Sequence, residues 1–216
     1  MSEFVLFYSP GACSLAIHAA LEHAGADFEP VRVDLRQKQQ LAPDYLRLNP
    51  QGRVPTLVVS DVALTETVAI ADYLDRRFPA AGLLPKADPA RALAQAAIQR
   101  LSSDIHPLYR ALWITGWFAR DPDVHPTMKE TAAERLKAFY AELEQRLAEG
   151  RWGQGEPTGF LAYYTGVFLR WSAAVAPEGL APASEALRRR LSEDPAMARV
   201  LAREGVSLAG LKRATD

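Results

Sequence analysis

The 216-residue sequence predicts an α+β chain in two parts, a mixed βαβαββα unit and then an all-α domain. Three observations point there. Up to about residue 78, short apolar runs rich in β-branched and aromatic residues alternate with helical patterns. Between 79 and 88 the chain is broken by Pro79, Gly82 and Pro85, which reads as a linker that closes on Pro89. Beyond it Ala, Leu, Gln, Glu and Arg dominate, a composition that favours long helices. The expected domains are therefore 1–78 and 89–216.

Each element has its own signal. Phe4 to Tyr8 is an apolar, aromatic run of strand character; Ser9-Pro10-Gly11 turns the chain, and a helix opens at about Cys13. Ala16, Ile17, Ala20, Leu21 and Ala24 form its apolar face, and Gly25 stops it. Phe28, Val31 and Val33 make a second strand. A short helix is expected around 41–48, and Asn49-Pro50-Gln51-Gly52 is a turn. Arg53 to Val59 reads as a strand with proline near its start, where a missing amide is tolerated. Ser60 and Asp61 turn it back through Val62 to Leu64, and Thr65 is placed to cap a helix that buries Ile70, Tyr73 and Leu74. Further helices are expected at 89–119, 125–149, 159–175, 183–193 and 195–203. Pro107 falls inside the first of these and predicts a kink near Ser103.

Composition narrows the function. Lys plus Arg number 25 against 26 Asp plus Glu, which gives no electrostatic case for nucleic acid or an anionic membrane. No apolar run approaches the ~20 residues that span a bilayer, and the N-terminus lacks signal-peptide regions, so a cytoplasmic location is expected. The four histidines show no metal-ligand spacing, and a single cysteine forms no internal disulfide.

That cysteine, Cys13, stands where free amides and the helix dipole favour a thiolate, and its pKa is expected below about 8.5. A lone cysteine is also commonly a small buried hydrophobe, and both readings stay open. Strand, Pro-Gly turn and helix opening on cysteine is the way thioredoxin-like folds present their chemistry, although no second cysteine completes a C-x-x-C pair. Tyr109, Trp113 and Trp117 recur at helical spacing, a stripe that serves either a core or an apolar pocket.

The stretches FYSPGACSLAIHAAL, NPQGRVPTLVV, LTETVAIADYL, SDIHPLY and RLSEDPAMARVLAREG together resemble a cytosolic glutathione S-transferase, most closely the bacterial beta class, over nearly the whole chain. The resemblance implies the two-domain glutathione transferase fold, a thioredoxin-like N-terminal domain followed by a helical C-terminal domain. It also implies detoxification chemistry in a homodimer, with glutathione as co-substrate, an electrophilic and largely apolar small molecule as partner, and no metal. Cys13 and His106 are the implied catalytic residues, and the charge state of His106 is expected to be sensitive near neutral pH. Cys13, Arg53, Val54, Pro55, Glu66, Thr67 and Asp104 are implied for glutathione, with Pro55 cis so that Val54 offers its backbone to the cysteinyl unit. Tyr8, His106, Tyr109 and Trp113 are implied around the second substrate, with Tyr8 as wall and not as catalyst.

Two departures from the resemblance stand out. Pro107 replaces the usual lysine after the histidine, removing a positive charge. Gly159 and Ala162 replace a Ser/Thr-x-x-Asp capping box, with Thr158 as a partial substitute. A glutathione-binding or ligand-carrying protein with little turnover is the alternative reading.

Overall fold

In a computed structural model, residues 2–153 and 157–211 are described, and the outer ends of both expected domains lie outside them. β1 (Phe4–Tyr8), α1 (Ser14–His23), β2 (Phe28–Arg32), α2 (Pro43–Leu48), β3 (Thr56–Val59), β4 (Val62–Thr65) and α3 (Thr67–Arg77) follow in sequence. The sheet order is β2-β1-β3-β4; β1 runs parallel to β2 and antiparallel to β3, which pairs antiparallel with β4. Strand alternation sets the layers. Phe4, Leu6 and Tyr8 of β1 enter the main core with α1 and α3, whereas Phe7 packs on a smaller cluster of Val33, Tyr45 and Val54.

The second half contains α4 (Ala90–Arg100), α5 (His106–Trp113), α6 (His125–Ala148), α7 (Gly159–Trp171), α8 (Pro182–Glu193) and α9 (Pro195–Glu204). From Phe160 to Trp171 every residue of α7 is buried, as expected of a helix apolar all round. Helix α1 lies between the sheet and both α7 and α9, which explains why Ser14 through Leu21 have no solvent-facing side. The apolar fit of α1 thus joins the two halves.

Three local expectations are corrected. The helix expected over 89–119 is divided: a π-helical segment, Leu101–Ile105, separates α4 from α5, and α5 ends at Trp113 before a 3-10 turn at Thr115–Trp117. Pro107 consequently sits in the first turn of α5, where its missing amide has no partner to lose, and the wide turn before it takes up the register. Thr65 does not cap α3. It ends β4, and Glu66 takes the cap position at φ 66°, ψ 116°. Thr158 likewise makes no side-chain capping bond to α7; the Phe160 amide donates to the Leu83 carbonyl at 2.9 Å, so the linker backbone replaces the missing cap. Gly159 is required by that contact, because a Cβ there would lie 2.5 Å from the Leu83 oxygen, at a φ of +53°.

Candidate active site

The turn between β1 and α1 is fixed from several directions. The Ser9 amide donates to the Ser14 hydroxyl at 3.1 Å, and the Ala12 amide returns to the Ser9 carbonyl at 3.0 Å. Gly11 is held by helices from the far end of the chain: its amide donates to Glu204 Oε2 at 2.8 Å, and its carbonyl accepts from Trp171 Nε1 at 2.9 Å. Its φ is +68°, and a Cβ would stand 2.7 Å from Arg170 Nε. Glu204 Oε1 also meets His18 Nδ1 at 2.8 Å, while Arg203 donates to His18 Nε2 at 3.0 Å. Since arginine can only donate, the His18 proton is on Nδ1, directed at Glu204. A buried carboxylate with charge-assisted partners therefore braces the turn.

Cys13 is buried, and its thiol donates to the Val54 carbonyl at 3.3 Å. Burial raises its pKa to about 11, outweighing the Thr67 hydroxyl and the amides of Cys13 and Ser14, which pull it down. The expected depressed thiol is corrected: the helix terminus acts as foreseen, but desolvation is the larger effect. In the free protein Cys13 is a protonated thiol.

Opposite the turn, the Val54–Pro55 peptide is cis. The segment before it is pinned by Tyr45, whose hydroxyl donates to the Arg53 carbonyl at 2.5 Å and lies 2.9 Å from Thr56 Oγ1. Asn49 Nδ2 reaches the same carbonyl at 2.9 Å. Glu66, at the start of α3, has a left-handed φ that costs a non-glycine residue roughly 1–3 kcal/mol, a strain often found at ligand clamps. Thr67 beside it is buried.

Cys13, Arg53, Val54, Pro55, Glu66 and Thr67 line one cleft of about 860 Å³, and His106 and Trp113 join them from α5. From α5, His106, Pro107, Arg110 and Trp113 meet the cleft, with Ser102 of the π-helical segment before it and Ile114 just after it. His106 packs edge-on against Phe168 and tilted against Trp171, with ring centroids at 6.2 and 5.2 Å. Burial, then Arg110 and Arg53, lower its pKa to about 4. The expected charge sensitivity near neutral pH is corrected: the imidazole is neutral there.

Three expected site residues do not line the cleft. Tyr109 is wholly buried on the core side of α5, its hydroxyl 2.6 Å from Tyr140, which donates onward to the Phe168 carbonyl. Of the aromatic stripe only Tyr109 enters the core, whereas Trp113 is half-exposed and lines the cleft and Trp117 is exposed. Tyr8 is buried against His18, ring centroids 4.9 Å apart, and burial followed by the Glu204 carboxylate raises its pKa. Asp104 is largely exposed, with Arg100 3.8 Å away. Residues that sequence reasoning passed over are Arg110, Tyr45, Trp171, Arg170 and Glu204. A lone arginine in the apolar run from Phe160 to Trp171 was a readable sign of a buried, partnered charge; Glu204 carried none.

Among the described residues no cluster of three or more His, Cys, Asp or Glu could hold a metal ion, and no helix is long and apolar enough to cross a membrane. Residues 2–76 match the family described as glutathione S-transferase, N-terminal domain. A glutathione S-transferase of Xanthomonas campestris pv. campestris is 33% identical over 208 residues, covering 94% of this chain and 99% of the relative. A glutathione transferase homologue from Sulfitobacter, solved with bound glutathione, superposes with a TM-score of 0.85 at 29% identity, covering 94% of this chain and 99% of that one. A bacterial beta class glutathione S-transferase from Sphingomonas chungbukensis gives a TM-score of 0.78 at 31% identity, covering 94% and 99%. With the thioredoxin-like sheet, the cis-proline cleft and full-length similarity all in agreement, the chain belongs to the glutathione S-transferase family.

Proposed function

We propose that this protein conjugates glutathione to electrophilic small molecules in the cleft between its sheet and α5, with residues 1–78 as the glutathione-binding domain and 89–216 as the helical domain that covers the electrophile. The observation that carries the reading is the convergence of Cys13, the cis Val54–Pro55 pair and the strained Glu66–Thr67 helix start on one cleft. An extended cysteinyl unit would use the Val54 backbone as an added strand does. The γ-glutamyl carboxylate would meet the first amides of α3 and the Thr67 hydroxyl, and Glu66 would take its ammonium.

The chemistry needs the glutathione thiol ionised. His106, with a pKa near 4, is a weak base at neutral pH, so the proton goes to solvent and the imidazole serves as a hydrogen-bond donor to the sulfur. The amides at the start of α1 favour the thiolate, which attacks the electrophile as its leaving group departs. A cytoplasmic homodimer is part of the same reading. So is thiol exchange, in which the Cys13 thiol gives its proton to solvent, its sulfur attacks oxidised glutathione to form a mixed disulfide, and the glutathione thiolate that leaves takes up a proton.

Steady-state kinetics with glutathione and a chlorodinitrobenzene test the proposal. Saturable turnover is expected, and Glu66→Ala raises the Michaelis constant for glutathione about tenfold or more, equivalent to roughly 1.5–3 kcal/mol, with kcat changing far less. Tight glutathione binding without turnover would instead make the protein a carrier, and unchanged affinity in the variant would remove Glu66 from the site.

A further inference from the structure

The conjugation reading leaves one part of the cleft without a task. Arg110 on α5 and Arg53 before Pro55 converge on the Trp117 ring, their guanidinium carbons 4.1 and 5.4 Å from its centroid. Both arginines line the cleft, and neither forms an ion pair among the described residues. Of the other cleft charges, Arg36 and Lys38 are exposed residues on the loop after β2, away from α5, and two more are engaged elsewhere. Arg32 lies 3.7 Å from Asp34, and Arg170 is occupied by the carbonyls of Ser207, Gly210 and Leu211. Glu66 is the acid that acts on Arg110 electrostatically, and it stands at the α3 end proposed for the γ-glutamyl group. Two like charges brought together across a cleft, partly buried and held by an aromatic face, are stabilised by an anion placed between them. Burial and Arg53 both lower the Arg110 pKa, which expresses the same unmet demand for negative charge.

The position of Arg110 assigns the anion to the second substrate. It is one helical turn beyond His106 on the cleft face, and it is followed by the half-exposed Trp113 and by Ile114. An electrophile whose reacting carbon sits near His106 would lay a planar body along Trp113 and carry its polar end to Arg110. We propose that this cleft selects electrophiles bearing a carboxylate, with Arg110 reading the carboxylate and the Trp113 ring receiving the conjugated body. The apolar co-substrate implied by family resemblance is thereby narrowed to an amphipathic one. The inference rests on the conjugation reading.

A chlorodinitrobenzoate and its methyl ester test it, because both react with glutathione by the same step: the thiol gives its proton to solvent, the carbon–sulfur bond forms, and chloride leaves with the bonding pair. With each kcat/KM divided by the uncatalysed rate, the wild type is expected to favour the carboxylate by at least about tenfold, which corresponds to about 1.4 kcal/mol. Arg110→Met is expected to bring the ratio near one through a raised Michaelis constant for the carboxylate, and Arg110→Lys to restore part of it. A wild-type ratio near one, or a ratio that survives Arg110→Met, overturns the proposal. So does a loss that appears as a raised Michaelis constant for glutathione with both probes, which would give Arg110 to the tripeptide. If glutathione binds and neither probe turns over, the conjugation reading fails, and calorimetry with the two preformed conjugates decides separately. Tighter binding of the carboxylate conjugate, lost in Arg110→Met, sustains the selectivity; equal binding removes it.

Discussion

At the scale of single residues, Cys13 and His106 show burial overriding chemical expectation. The sequence placed a thiol at a helix terminus correctly and could not reveal that its side chain is enclosed; enclosure depends on Thr67, Val54 and the helices above them. With a folded pKa of about 11, Cys13 in the ligand-free protein should be alkylated slowly by iodoacetamide, the rate rising about tenfold per pH unit from about pH 7 to 10. A plateau near pH 8 would show a thiolate favoured after all. The linkage to stability has a definite sign: folding prefers the thiol, so this contribution is complete below the ordinary thiol pKa and is lost as pH rises through about 11. Glu66 and Thr67 were singled out by the family resemblance and not by local pattern, which put the helix cap at Thr65; both line the cleft. Arg110 was not, since an arginine on a helix shows no difference in sequence between a solvated face and a cleft.

At the scale of elements, periodicity found nearly every helix and strand, and it failed where the phase of a helix mattered. The aromatic stripe met the core at Tyr109 and the cleft at Trp113, and the π-helical segment before α5 disrupts any extrapolation of faces from α4. The α7 N-terminus shows a different limit: the loss of a capping box was readable, but its replacement by the Leu83 carbonyl lies about seventy-five residues back in the chain. Gly159→Ala should therefore destabilise the protein by about 1–3 kcal/mol, through the clash with that carbonyl and a positive φ, as measured by urea unfolding. A change below about 0.5 kcal/mol would mean that the linker moves aside at little cost.

For the whole molecule, the shift of composition at the linker made the two-part architecture legible, while the contacts that join the parts were invisible. α1 needed three neighbours to explain its buried polar residues, and only the structure supplies α7 and α9. Homodimerisation is the prediction at this scale. Val62 on β4 and Leu93 on α4 are exposed apolar side chains that a second chain would cover. Light scattering at micromolar concentration should give about twice the chain mass, and a monomer mass would count against assembly.

The bond between Gly11 and Glu204 spans 193 positions, and that distance also orders events during synthesis. The strands and helices of the first domain leave the ribosome long before α9 has been translated. Until then the Gly11 amide and the His18 ring lack their carboxylate, in the turn that presents Cys13. A nascent or truncated chain without α9 thus carries the cysteine without the clamp that positions it, and the site becomes complete only once Glu204 has been added.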